Sequence, residues 1–294
     1  MALELKAITA QIHSVEHIIE IQDRKERAFL AEFAQGTYSP QAPLILSDPY
    51  GVNPLSALIA FRTETEEVFS LEVQGKDDSS TITKTFPKAR EHFIPVLGLY
   101  PDKVNTVTLR AYQGESHSFE IQTTALPGGY TPLVSINSLH VLPNNELVYL
   151  IPAVPDYPDH YPCGMDDNGD IRWFLDLPCV FEIARLKNGN LMISSHRRME
   201  QLYYTTGLYE MSPIGKIYKE YRLPYFYHHD FFEMADGNIL ALTDSGEFGH
   251  VEDACVLIDR ESGDILKQWN YADAIDIQKV SGSKSWTEED WAHN

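Results

Sequence analysis

Positive charge is scarce in this chain: 23 lysines and arginines stand against 43 aspartates and glutamates, a formal net charge of −20 over 294 residues. A surface of that sign repels a phosphate backbone, which excludes nucleic acid as a partner and an anionic membrane surface with it. It also denies an anionic substrate any long-range steering, so any anion must be captured by local groups. Cysteine is scarcer still. Cys163, Cys179 and Cys255 lie far apart, without metal-ligand spacing, and read as reduced thiols; no metal and no cofactor is expected. Long apolar runs are missing: none approaches the roughly 18 residues of a membrane span. Met1-Ala2-Leu3-Glu4 lacks a basic n-region and an apolar h-region. Unless a leader has been removed, the expectation is a cytoplasmic chain without a membrane partner.

Aromatics and tight turns are plentiful. Sixteen Tyr, 13 Phe and four Trp suit a β-rich protein. Leu142–Tyr149, Leu186–Ile193 and the stretch from Tyr227 to Leu242 share one cadence, a turn residue followed by an apolar, β-leaning run. Their turn residues Asn145, Gly189 and Gly237 fall 44 and then 48 residues apart. A second series interleaves: Asp167–Trp173, Pro213–Tyr218 and Glu261–Leu266, with Gly169, Gly215 and Gly263 spaced by 46 and 48 residues. Asn and Gly accept the positive φ of a hairpin turn. Two such turns in about 46 residues is the period of a four-stranded propeller blade.

The remaining chain divides around that repeat, giving domains at 1–36, 37–126 and 127–294. Residues 6–34 read as one amphipathic helix with Gly36 as its stop; its apolar stripe either packs along the following domain or pairs with a second copy. Residues 37–126 hold seven short β-runs punctuated by Gly, Pro, Asn and Asp, the pattern of a small immunoglobulin- or fibronectin-type β-sandwich. His92 and His117 read there as surface or edge residues. Leu126–Pro132 is the linker, and from Leu133 about three and a half blades follow. The proline-rich excursion between Ile151 and Pro162 reads as a loop on one face of the disc.

Among 11 histidines position must decide. His229 heads the segment assigned as an inner strand, where blades converge on a central channel. In extended backbone His228 points to the opposite face. Asp230 likewise points away from His229. His196 with Arg197-Arg198 forms either an anion-binding cluster, since guanidinium suits tetrahedral anions, or a solvated strand end. His140 and His160 carry less. His293 stands one residue from the last.

Gly169–Leu175, Leu186–Leu191, His229–Asn238 and Asp290–Asn294 together resemble successive segments of the bacterial arylsulfate sulfotransferases, in order, across the whole chain. The Gly-Asn turns are common to many propellers; the Trp291-Ala292-His293-Asn294 segment is the specific part. The resemblance implies a small β-sandwich followed by a six-bladed propeller, no nucleotide donor, His293 as the sulfated nucleophile and His229 as a second active-site histidine. That second imidazole would serve as proton donor and acceptor or would bind the sulfuryl oxygens. The family also uses an arginine on the strand after this histidine. Ile239–Gly246 has none, so Arg197, His196 or His250 would have to bind the sulfuryl group. Tyr225, Phe226, Tyr227 and Trp286 would either line a mouth for phenols or pack in the core.

Three readings stand at this point. The first is an aryl sulfotransferase acting between an aryl sulfate donor and a phenolic acceptor through a sulfohistidine. The second is a non-catalytic propeller scaffold, and the third a quinone-dependent or hydrolytic propeller, for which no ligand set is visible. Six blades need on the order of 280 residues, and Leu133–Asn294 supplies little more than half. A partial, C-terminally incomplete propeller is therefore expected. Its open edges would be closed by a homo-oligomer or a complementary segment, and without that closure it would show little or no turnover.

Overall fold

The computed structural model describes residues 17–112, 114–126, 147–150, 161–179, 181–197, 204–247, 250–276 and 291–292. Asn145, His140, His160, Arg198, Trp286 and His293, the linker turn and the proline-rich excursion lie outside them. The chain forms two compact units. One comprises residues 17–178 together with 213–216. The other comprises 179–212 and 217 onward.

In the first unit, helix α1 (Ile18–Gln35) begins later than its apolar periodicity suggests. His17 has extended backbone and its Nδ1 accepts the Ile19 N–H at 3.2 Å, so a side-chain cap fixes the start there. The expected start at residue 6 is thereby corrected: the helix is not continuous through residue 17. Gly36 ends it, its N–H bonding Glu32 O at 3.0 Å. The stripe of α1 packs on the sandwich. Phe33 lies edge-on to Phe93 with centroids 4.8 Å apart and carries the Arg62 guanidinium 3.9 Å above its ring.

Seven strands follow, at the places their alternation marks. They are β1 (Leu44–Ser47), β2 (Ser56–Glu67), β3 (Phe69–Val73), β4 (Ile82–Thr85), β5 (Ala89–Leu97), β6 (Val104–Ala111) and β7 (Ser116–Gln122). They form two antiparallel sheets in the orders β1-β2-β5 and β4-β3-β6-β7. Phe61, Phe69, Ile94, Val107 and Leu109 fill the space between them. His92 is not at the surface. It is buried, stacked on Phe61 at 4.6 Å and edge-on to Phe69 at 4.9 Å. Burial lowers its pKa, so it packs as a neutral aromatic ring.

Strands β8 (Val148–Leu150), β9 (Cys163–Met165) and β10 (Ile171–Phe174) form a further antiparallel sheet. Cys163, Met165, Ile171 and Phe174 belong to the same core as the sandwich. Arg172 is completely buried in this unit and held by four hydrogen bonds.

The second unit is built from two four-stranded antiparallel sheets. The first runs β11 (Ile183–Arg185), β12 (Leu191–Ser194), β13 (Thr205–Met211), β14 (Ile217–Tyr227). The second runs β15 (Phe231–Glu233), β16 (Ile239–Thr243), β17 (Ala254–Ile258), β18 (Ile265–Asn270). Spatial order equals sequence order in both, the meander of a propeller blade. Gly189 and Gly237 turn between the first two strands of each sheet, and Gly215 and Gly263 between the last two. All four have positive φ, from 84° to 101°. Apart from α1 the described chain is all-β, a sandwich followed by part of a propeller.

A polar clamp joins the two blades. Glu210 on β13 accepts a two-pronged pair from Arg260, Nη2 to Oε1 at 2.7 Å and Nε to Oε2 at 3.0 Å. Asn188, Asn190 and Tyr221 also donate to it, and Arg260 reaches Glu233 on β15 at 2.8 Å. Burial alone would raise the Glu210 pKa, but these donors outweigh it and hold the carboxyl down at about 2, against an ordinary 4.5. A depressed carboxyl stabilises the fold above its unfolded pKa, and that contribution fades as pH falls toward the folded value. The stability gap between wild type and Glu210→Gln is therefore expected to be on the order of 3 kcal/mol at neutral pH and to close between pH 4.5 and 2. Urea unfolding of both proteins across that range checks it; a gap independent of pH contradicts it.

Candidate functional site

The histidine pair follows β14 and precedes β15, but not in extended backbone. His229 has φ 53°, in the left-handed region, and that reversal cancels strand alternation. Both imidazoles therefore turn toward one carboxylate, correcting the expectation that the pair faces opposite ways. Donor atoms of His228, His229 and Glu252 all lie within 4.8 Å of one another. His229 Nε2 is 3.4 Å from Glu252 Oε1. Glu252 is itself at φ 57° and Phe226 at φ 76°. Strained non-glycine residues concentrated in this way are typical of functional sites.

Each member is held by its surroundings. The Tyr227 hydroxyl donates to His229 O at 3.2 Å, and the Phe181 ring lies 5.2 Å from the His229 ring. Tyr204 O–H donates to Glu252 Oε1 at 3.0 Å, and the Glu252 N–H donates to Asp244 Oδ1 at 2.7 Å. Asp253 accepts both the N–H and the hydroxyl of Ser245 at 2.7 Å, which pins the other end of the segment. The His229 side chain is 38 % exposed, whereas His228 is 1 % exposed as a residue. Burial lowers the His228 pKa and keeps the ring neutral. The Thr243 backbone opposes that shift in part, yet neither ring nitrogen has a hydrogen bond of ordinary geometry.

Glu182 lies next to Phe181, and its pKa is pushed up to about 7 by partial burial and by the Asp230 carboxyl. Because Glu182 is exposed, the Asp230 contact is the better-founded cause.

The other described sequence candidates make contacts of their own. His250 Nδ1 stands 3.7 Å from Asp253, and Trp291 packs edge-on against the His250 ring with centroids 6.3 Å apart. Trp291 thus places the beginning of the Trp-Ala-His-Asn segment against the loop that carries Glu252. His196 and Arg197 follow β12 and have partners of their own. Tyr209 meets His196 Nδ1 at 3.2 Å, and Arg197 lies 3.9 Å from Glu220. Tyr227 is fully buried and serves the core, while Tyr225 is exposed and packs its ring over Gly246, where a Cβ would stand 2.3 Å from the ring.

Sequence reasoning missed Glu252, Tyr204 and Glu182. Glu252 lies a strand pair away from the histidines, with no spacing signal to connect them. None of the three cysteines joins a ligand group among the described residues.

The family description Arylsulfotransferase (ASST) matches residues 133–294, more than half the chain, and Arylsulfotransferase Ig-like domain matches residues 44–126. The chain belongs to the arylsulfotransferase family. The Ig-like match spans strands β1 to β7, and the ASST match takes in both four-stranded sheets and the His228–His229–Glu252 group. Comparison with curated proteins returns no match. Among the described residues no helix is long and apolar enough to cross a membrane.

Proposed function

We propose that this arylsulfotransferase moves a sulfuryl group from an aryl sulfate to a phenolic acceptor, with His293 as the nucleophile and the His229–Glu252 group beside the transferred sulfur. The observation that supports the reading is the edge-on packing of Trp291 against the His250 ring, two residues before Glu252 in the chain.

In the first step a neutral imidazole nitrogen of His293 bonds to sulfur as the S–O bond to the aryl group breaks. The phenolate leaves and takes up a proton, and Glu182 beside Asp230 can hold one near neutral pH. In the second step the oxygen of a deprotonated acceptor phenol bonds to sulfur and the S–N bond breaks. Splitting the transfer in two is the use of a covalent nucleophile. Sulfuryl transfer, like phosphoryl transfer, passes through a loose transition state with charge on three equatorial oxygens, so donors fixed around those oxygens matter most. His229 is the exposed member of its group and faces them in this reading.

The test is release of nitrophenol from 4-nitrophenyl sulfate, with phenol as acceptor. Release should depend on the acceptor and fall by about 10²- to 10³-fold in His229→Asn. Release that ignores the acceptor points to a hydrolase. No release above the uncatalysed rate points to a non-catalytic scaffold.

A further inference from the structure

We propose that His228, His229 and Glu252 form a three-ligand site for a divalent transition cation of the zinc type, with one coordination position open toward solvent. The donor set comes first. Two imidazoles and one carboxylate suit zinc, cobalt or nickel better than calcium or magnesium, and three protein ligands with a vacant fourth position is the arrangement of a catalytic zinc site. Ligand atoms around a tetrahedral zinc ion stand about 3.3–3.6 Å apart. His229 Nε2 and Glu252 Oε1 are already 3.4 Å apart, and a His228 ring nitrogen lies within 4.8 Å of the donor atoms of both.

A second, independent observation points to a ligand. His228 is buried, and neither of its ring nitrogens has a hydrogen bond of ordinary geometry, the Thr243 backbone being a polar neighbour outside the group. A buried polar group in that state is destabilising unless something binds it. Here the ring lies against a second imidazole and a carboxylate.

The backbone supplies the third observation. His229 and Glu252 are both held at left-handed φ, 53° and 57°, and at His229 this is what turns two consecutive side chains to one point. Metal ligands are commonly oriented by outer hydrogen bonds, and Tyr204 and Asp244 fix Glu252 in that way. Asp244 accepts the Glu252 N–H, and Asp230 and Asp253 adjoin His229 and Glu252 in the chain; their negative charge favours a cation. The half-exposed side of His229 gives the ion an entrance and leaves its open position facing outward. On the reading above, and resting on it, that position would take an oxygen of the sulfuryl group, with the ion acting as a Lewis acid.

Binding is tested without the reaction. The untagged full chain, stripped with a chelator and dialysed, is titrated with Zn²⁺ by calorimetry. One equivalent should bind, and the affinity should fall at least about 100-fold in Glu252→Gln and in His229→Asn, each with an unchanged circular dichroism spectrum, since losing a ligand costs more than losing an outer partner. Because His228→Asn risks misfolding, Co²⁺ substitution of the wild type serves as the second measurement. It should give the intense visible absorption of a four- or five-coordinate site. Absence of stoichiometric binding, equal affinity in Glu252→Gln, or a weak six-coordinate spectrum would overturn the site. The two readings fail separately: binding without acceptor-dependent transfer removes the transferase, and metal-independent transfer by a chain that binds no zinc removes the metal.

Discussion

His293→Asn is expected to abolish sulfuryl transfer, lowering turnover by about 10⁴- to 10⁶-fold, the scale on which removal of a covalent nucleophile acts. Asparagine has no nitrogen with a free lone pair able to attack sulfur, so the two-step route closes rather than slows. The loss should exceed that of His229→Asn, because a group that binds sulfuryl oxygens contributes to the transition state without forming a bond to sulfur. Added imidazole should restore part of the turnover in His293→Asn by taking the place of the missing ring. Steady-state release of nitrophenol measures all of this. Equal losses in the two variants, with no rescue, would remove the distinction between nucleophile and neighbour.

Arg172→Ala should have the largest effect on stability. The guanidinium is fully buried, and Nε donates to Gly98 O at 2.8 Å. Nη1 donates to Ser80 O at 2.9 Å, the Tyr100 hydroxyl at 3.0 Å and Asp166 Oδ2 at 2.9 Å. The cation also sits 3.9 Å from the centroid of the Tyr100 ring. Truncation leaves two carbonyls and the nearly buried Asp166 carboxylate without their donor, and removing one partner of a buried pair costs about 3–5 kcal/mol. The unit holding the sandwich and β8–β10 should then melt roughly 10 °C lower. Arg172→Lys should recover little, because an ammonium on a flexible stem cannot reproduce the planar fork. Scanning calorimetry decides it. A shift of a degree or two in the alanine variant would mean that the buried cation contributes little net stability.

Features that repeat were legible in the sequence. The Gly189–Gly237 and Gly169–Gly215–Gly263 series fall on hairpin turns because positive φ at a fixed interval can be recognised without tertiary information. All seven sandwich strands are where alternation places them, since period-2 burial is a local signal. The site was less legible. His229 stood out through its position and its resemblance to a family segment, but its left-handed backbone was not readable. The inferred alternation between His228 and His229 failed for that reason. Glu252, Tyr204 and Glu182 come from other segments, and only tertiary packing brings them to the histidines. The same limit explains His92, an ordinary strand residue in sequence that becomes part of a stacked aromatic core through its partners Phe61 and Phe69. The start of α1 was misplaced because apolar periodicity reports which face is buried, not where a cap ends the helix.

The central claim is that sulfuryl passes through His293 of this chain, and the most direct measurement is the chain's own mass. The full protein is mixed with 4-nitrophenyl sulfate in the absence of an acceptor, quenched in alkali to protect the S–N bond, digested and sequenced by mass spectrometry. The account predicts one added SO₃ on the peptide carrying Trp291-Ala292-His293-Asn294, lost when phenol is added before quenching. Sulfuryl on a different residue, or an unmodified chain that still releases nitrophenol to an acceptor, would contradict it.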